Sequence, residues 1–145
     1  MSNTVCFITP TYNASFHLKE CYESLKEQCN ENWEWVILND MSTDDTYDVA
    51  KNIEASDKKK RVTVINHKIK KFALKGISDV LDDFVKKSDD QIIAILDGDD
   101  ALCNENTVDL ILSEYNNNSK LDALWTSHTW DINGMNISRD LPENI

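Results

Sequence analysis

Three acidic side chains stand within four positions in the segment LDGDD, at Asp97, Asp99 and Asp100. Carboxylates this close repel one another unless a cation lies among them. Oxygen ligands at such density suit Mg²⁺ or Mn²⁺. The segment therefore predicts a site for a divalent cation. An acidic surface turn is the alternative, since Asp and Gly are ordinary turn residues.

The residues before these acids predict the element that must hold them. Residues 92–96 read IIAIL, which is typical of a strand buried on both faces in a parallel sheet covered by helices. Open α/β sheets bind ligands beside the carboxyl ends of their strands. We therefore expect Asp97 and Asp99 to lie at a ligand-binding edge of a sheet.

Elsewhere the chain alternates short apolar runs with segments of helical period, which predicts strands joined by helices. The other predicted strands are residues 5–9, 33–38, 62–65 and 121–125. The predicted helices are residues 18–25, a segment from near residue 42, residues 69–85, and a segment after a cap at residue 104. An Asn-Gly pair at residues 133–134 predicts a hairpin turn.

The second predicted helix has the most detailed sequence signals. Ser42 and Asp45 are placed as a short capping box at its start. Tyr47, Ala50 and Ile53 follow at helical spacing and are expected to face the core.

Strands that alternate with helices imply right-handed crossovers and a mostly parallel central sheet flanked by helices, an α/β architecture. At 145 residues the chain is expected to form a single domain, residues 1–145. The strand ends at Thr9, Asp40, Asn66 and Asp97 would then lie along one edge of the sheet.

Composition excludes several classes of function. A net charge of −11 argues against nucleic acid or anionic lipid as the main partner. Only three glycines are present, and none of their spacings matches GxGxxG or a Walker loop. A nucleotide would therefore be bound without a glycine-rich phosphate cradle.

The chain carries neither a basic, apolar secretory leader nor an 18-residue apolar run, so we expect no transmembrane segment and a cytoplasmic location. Its four cysteines form no CxxC pair and lie in apolar patterns. They are predicted to be small, buried, reduced thiols.

Three segments at successive predicted strand ends carry a resemblance to a known family. They are TPTYN (residues 9–13), NDMSTDDT (39–46) and LDGDD (96–100). Together they resemble the nucleotide-binding half of a family 2 glycosyltransferase with the Rossmann-like GT-A fold, over about residues 4–125. The resemblance implies a nucleotide-diphosphate sugar donor, most often a UDP-sugar, and a mostly inverting sugar transfer to an unknown glycan, protein or lipid acceptor.

Carried over residue by residue, the resemblance assigns the nucleoside to the first two segments. Thr9, Pro10 and Tyr12 would border the nucleoside. Asp40 would accept a hydrogen bond from the base, usually uracil, or from the ribose.

The third segment would then bind the diphosphate and its metal. Asp97 would contact the ribose or a metal-bound water, and Asp99 would ligate the Mn²⁺ or Mg²⁺ that bridges the phosphates. Gly98, between them, would let the backbone approach the phosphates closely.

The chain departs from the family pattern at two places. Asn39 replaces the first acid of the second segment, and Met41 replaces its glycine. Residues 66–76 align with a further family pattern whose arginine position is Ala73 here. Either Lys68 or Lys71 supplies the basic group instead, or this corner binds the donor less tightly.

The catalytic base is not identified by any motif. In relatives it lies well beyond the D-x-D segment, whereas only 45 residues follow Asp100 here. Asp131, Asp140 and Glu143 are the late acids available, and His128 is a possible metal ligand. The chain is therefore expected to be a fragment of a longer enzyme or an unusually small one, with residues 126–145 as a hairpin and tail.

Two other functions remain as alternatives. A binding module that holds a nucleotide sugar without turnover would explain the lack of a recognisable base. A phosphatase of the haloacid dehalogenase type also has a D-x-D strand end. That class expects Thr or Val where Ala101 stands, and expects its motif on the first strand.

Overall fold

Strands rich in β-branched and aromatic residues form one parallel sheet. The computed structural model describes residues 4–84 and 91–124. Its strands are β1 (Thr4–Thr11), β2 (Trp33–Asn39), β3 (Val62–Asn66) and β4 (Gln91–Ile95). They lie in the order β3-β2-β1-β4, and all three pairings are parallel. This confirms the predicted parallel sheet and places the predicted strand ends on one edge.

In the described parts of the chain, four helices follow the strands in alternation and cover both faces of the sheet. They are α1 (Leu18–Lys26), α2 (Thr46–Ser56), α3 (Phe72–Phe84) and α4 (Thr107–Asn117). Helices α1, α2 and α4 pack on the face that carries Phe7 and Trp35, and α3 packs on the opposite face through Val80. The period-2 alternation of side chains along β1 and β2 supplies both apolar faces.

The sheet order places a topological switch between β1 and β4. From β1 the chain moves outward through β2 to β3, and then crosses through α3 to the other side of β1. Ligands of open α/β sheets bind in the crevice at such a switch, outside the carboxyl ends of the two strands.

The fourth strand corrects one prediction. We expected it to be buried on both faces, but Ile95 is 53% exposed. In the described sheet β4 lies at an edge and pairs with β1. Helix α3 packs against Ile93 but leaves the end of the strand uncovered.

Helix α2 begins later than predicted. Its first residue is Thr46, and the residue at its N-cap, Asp45, makes no side-chain capping bond. Ser42, the other half of the predicted capping box, instead accepts a hydrogen bond from the backbone N–H of Asn13. Tyr47 was predicted to face the core and is exposed, whereas Ala50 and Ile53 are buried as predicted.

Helix α3 also begins later than its apolar pattern suggested. Ile69 precedes the helix and is 76% exposed, and Phe72 at its first position is 70% exposed. The predicted fifth strand is wrong over residues 121–124, which follow no regular structure. Residue 125, the hairpin at 133–134 and the predicted tail lie outside the described residues.

The cysteines are all free, as predicted, but they are not all buried. Cys6 and Cys21 lie in the core, and burial raises their pKa to about 11 and about 12 respectively. Cys29 and Cys103 are exposed. Within residues 4–84 and 91–124, no helix is long and apolar enough to cross a membrane.

Candidate functional site

A cleft of about 330 Å³ opens at the topological switch, outside the carboxyl ends of β1 and β4. Its volume lies at the small end of the range for small-molecule sites. It is lined by Pro10, Thr11, Tyr12, Asn13, Ala14, His17, Ala73, Asp97, Gly98 and Asp99. The first and third segments of the family resemblance therefore face each other across one cleft.

Asp97 and Asp99 bring two exposed carboxylates to the cleft. Within the part of the chain that the structure describes, no group of three or more His, Cys, Asp or Glu side chains is arranged to hold a metal ion. Mg²⁺ is commonly held by one or two carboxylates, with substrate phosphates and water completing its shell. The donor set here fits that kind of shared site.

Gly98 allows the two strand-end loops to touch. A Cβ atom at this position would lie 2.9 Å from Cγ2 of Thr11 and 3.4 Å from the carbonyl oxygen of Pro10. Thr11 is buried, and its hydroxyl donates a hydrogen bond to the carbonyl oxygen of Leu38 at 3.2 Å. The glycine in LDGDD is thus required for contact with β1, a role that its sequence context did not indicate.

This contact makes a specific prediction for Gly98→Ala. The added methyl should lower the free energy of unfolding by about 1–3 kcal/mol, because it overpacks a tight contact. Thr11→Ser removes Cγ2 but keeps the hydroxyl, so it should recover much of this loss in the double variant. Urea unfolding of both single variants and the double variant measures the coupling. Strictly additive effects would contradict the contact.

Residues of the second segment hold the loop after β1 in place. The backbone N–H of Thr43 donates to Oδ1 of Asn13 at 2.8 Å, and the N–H of Ala14 donates to Oγ1 of Thr46 at 2.8 Å. Asn13 itself has a φ of 54°, in the left-handed region that Asn tolerates better than most residues. The loop that lines the cleft is therefore tied to the loop that follows β2.

Asp44 completes this connection between the two loops. Its carboxylate accepts hydrogen bonds from the hydroxyl of Thr46 and from the hydroxyl of Ser15, the latter at 2.7 Å. The bond from the Thr46 hydroxyl is the largest cause that lowers the pKa of Asp44 to about 2, and the bonds from Ser15 act in the same direction. The polar residues of NDMSTDDT thus support the cleft.

Thr9 was expected to border the nucleoside, but the structure places it in the core. It is fully buried within β1, and its hydroxyl accepts a hydrogen bond from the indole N–H of Trp35 at 2.7 Å. The strand continues to Thr11, two residues beyond its predicted end. Thr11 and not Thr9 therefore lines the cleft.

Asp40 is buried beside the start of α3 and is not among the residues that line the cleft. Its Oδ1 and Oδ2 accept the backbone N–H groups of Lys71 at 2.7 Å and Phe72 at 2.8 Å. Nδ1 of the buried His67 lies 3.3 Å from Oδ1. Burial raises the pKa of Asp40, but these hydrogen bonds outweigh it and hold the pKa below its ordinary value. In this structure Asp40 caps α3.

The lysines near the start of α3 are not arranged as the sequence suggested. Lys68 is exposed and does not line the cleft, and Lys71 is ion-paired with Asp79 at 2.6 Å. Lys70 instead lies over the ring of Tyr12, with Nζ 3.2 Å from the ring centroid. Tyr12 lines the cleft, so its contact with Lys70 places the ammonium group at the rim, although Lys70 is not itself among the lining residues.

Four residues that line the cleft were given no role in the sequence analysis: Thr11, Asn13, Ala14 and His17. Thr11 ends β1, and the other three lie in the loop between β1 and α1. Ala73, the family's arginine position, lines the cleft with a small side chain. The late acids Asp131, Asp140 and Glu143, and His128, lie outside the described residues.

Comparison with known proteins agrees with this geometry. The sequence model described as "Glycosyl transferase family 2" matches residues 6–139. The chain is 28% identical over 96 residues to TuaG of Bacillus subtilis (strain 168), which is named as a teichuronic acid biosynthesis glycosyltransferase. That match covers 66% of this chain and 36% of TuaG.

Solved structures share the fold. S. aureus TarS, residues 1–349, superposes with a TM-score of 0.65 at 22% identity, covering 79% of this chain and 32% of that chain. It has also been solved with UDP-GlcNAc and with UDP. The mannosyltransferase PcManGT from Pyrobaculum calidifontis, in complex with GDP-Man and Mn²⁺, superposes with a TM-score of 0.61 at 20% identity, covering 74% and 30%. The chain thus spans about a third of the length of these proteins.

Proposed function

The chain belongs to glycosyl transferase family 2 and has the GT-A fold, and on that premise we propose that it is the donor-binding domain of a glycosyltransferase that uses a UDP-sugar and a divalent cation. The observation that carries the proposal is the cleft at the switch between β1 and β4. Pro10 and Tyr12 line it together with Asp97, Gly98 and Asp99. A nucleoside would lie beside the first pair and a diphosphate beside the acids.

The carboxylates of Asp97 and Asp99 are the groups that would hold Mn²⁺ or Mg²⁺. A divalent ion bound there would neutralise charge on the nucleoside diphosphate as it leaves the sugar. Support for the nucleotide comes from TarS, which was solved with UDP and UDP-GlcNAc, and support for the ion comes from PcManGT, which was solved with GDP-Man and Mn²⁺.

The proposed reaction is a direct, inverting displacement at the anomeric carbon. A general base would take the proton from an acceptor hydroxyl, and such a base contributes about 10²–10⁴-fold to a rate. Asp131, Asp140 and Glu143 remain the candidates for this role, and the acceptor is a glycan, protein or lipid. If none of them acts as a base, residues 1–145 would bind the donor without turnover.

Calorimetry with UDP tests the donor-binding role. We expect UDP to bind in Mn²⁺, to bind much more weakly in EDTA, and to compete with a UDP-sugar. GDP under the same conditions is the matched control for the base. Equal affinity for UDP with and without the cation would refute the metal-dependent site.

Turnover is measured separately from binding. Release of UDP from a UDP-sugar in Mn²⁺, followed with and without candidate acceptors, distinguishes a transferase from a binding module. Binding without any release would favour the binding module. Release that is lost in only one of the Asp131→Ala, Asp140→Ala and Glu143→Ala variants would identify the base.

A further inference from the structure

Lys70 has an environment unlike that of the lysines around it. Its Nζ lies 3.2 Å from the ring centroid of Tyr12 and 5.8 Å from that of Phe72. Lys71 and Lys75 are both paired with Asp79, at 2.6 and 2.5 Å. Among the described residues no carboxylate forms an ion pair with Lys70. Within the described part of the chain, the contacts of its ammonium group at the rim of the cleft are therefore with the rings of Tyr12 and Phe72.

The backbone on the C-terminal side of Lys70 is firmly anchored. The next two N–H groups, of Lys71 and Phe72, both donate to the buried carboxylate of Asp40. Phe72 has a φ of 60°, so the chain turns sharply there into α3. The start of the helix is thus fixed to the end of β2, and Lys70 is presented to Tyr12 from a defined position.

Among the described residues, no Lys or Arg lines the cleft. Of the residues described as lining it, Asp97 and Asp99 are acidic, His17 is the one basic side chain, and Ala73 is small. A nucleoside diphosphate would bring further negative charge to the two carboxylates. A divalent ion would offset part of that charge, and a lysine at the rim would offset more.

We propose that Lys70 binds the donor directly: when a nucleoside diphosphate enters, its ammonium group moves from the Tyr12 ring to a phosphate oxygen. This inference rests on the proposed function and names a residue that acts in it. The exchange is favourable because a cation–π contact at an exposed site is weaker than a charge-assisted hydrogen bond to phosphate. It also uncovers one face of the Tyr12 ring, which the nucleobase can then stack against.

Binding of UDP and of uridine separates this role from a structural one. Calorimetry in Mn²⁺ compares the parent chain with Lys70→Met, which keeps the length and apolar stem but removes the charge. UDP should bind about tenfold or more weakly to Lys70→Met, since a charge-assisted hydrogen bond is lost. Uridine, which has no phosphate, should bind at least as well as to the parent.

Two further variants make the comparison specific. Lys58→Met removes an exposed charge beyond the end of α2 that does not line the cleft, and it should bind UDP like the parent. Lys70→Arg keeps the charge and should retain most of the UDP affinity. Thermal unfolding should show equal stability for all three variants, because both side chains are exposed.

Several results would overturn the inference. UDP affinity that is unchanged in Lys70→Met, or reduced equally in Lys58→Met, would show that Lys70 makes no specific contact. A parallel loss of UDP and uridine affinity would show that Lys70 only orients Tyr12. If the parent chain failed to bind UDP in Mn²⁺, the proposed function would fail together with this inference.

Discussion

Asp99→Ala is expected to remove most of the Mn²⁺-dependent affinity for UDP. Asp99 and Asp97 are the two carboxylates among the described residues that line the cleft, and phosphate and water would complete the shell of a shared cation. Losing one of two protein ligands should therefore cost on the order of several kcal/mol of donor binding, because the charge on the diphosphate is then poorly neutralised. Calorimetric titration with UDP in Mn²⁺ measures this loss.

The matched control is Asp122→Ala, which removes an exposed acid that does not line the cleft. It should bind UDP like the parent chain. In EDTA, the parent and Asp99→Ala should bind UDP with similar, low affinity, because the difference between them depends on the cation. A large difference that persists in EDTA would mean that Asp99 contacts the nucleotide directly and does not act through a metal.

Asp40→Ala is expected to destabilise the fold by about 3 kcal/mol. The substitution leaves the N–H groups of Lys71 and Phe72 without their acceptor and removes the partner of the buried His67. Each unpaired buried polar group costs about 1–3 kcal/mol. Urea unfolding at neutral pH measures the change in the free energy of unfolding.

Asp45→Ala is a suitable control, since Asp45 belongs to the same loop but makes no side-chain capping bond. It should change stability far less. Donor binding then distinguishes the structural role from base recognition. If Asp40→Ala keeps the parent's free energy of unfolding but loses UDP affinity, Asp40 contacts the nucleotide and its contact with α3 is unimportant.

The lowered pKa of Asp40 adds a pH dependence to this result. The carboxylate is more acidic in the folded chain than in the unfolded chain, so its ionised form stabilises the fold. That contribution is fully present above the ordinary pKa of Asp and is lost as the pH falls through the lower, folded value. The stability difference between the parent and Asp40→Ala should therefore shrink on acidification.

The elements of the fold were largely predictable from the sequence because they depend on local periodicity. Alternating apolar runs and helical segments indicated four strands and four helices that the structure contains, and the parallel sheet followed from that alternation. The position of Asp97 and Asp99 at the sheet edge followed in turn. The first and third family segments contain residues that line the cleft, and the second contains residues that hold the loop after β1 in place.

What periodicity could not predict is how far an element extends or how fully it is covered. Ser42 was expected to cap α2, because a serine hydroxyl can accept a hydrogen bond from a backbone N–H a few residues later. It accepts one instead from the N–H of Asn13, 29 positions away. Ile95 looked fully buried because apolar runs do not reveal which strand lies at an edge. Both outcomes depend on packing between distant segments.

The residue types alone predict which side chains bring charge to this part of the molecule, but what each of them contacts depends on the folded arrangement of the loops. Three lysines of the same short segment have different surroundings. Lys68 is exposed, Lys70 lies over the ring of Tyr12, and Lys71 is ion-paired with Asp79. Asp40 directly follows β2, close to the predicted strand end, but its oxygens accept hydrogen bonds from the start of α3. Hydrogen bonds and ion pairs form between atoms that meet in space. They are set by how the loops after β1, β2 and β3 converge, which no local pattern encodes.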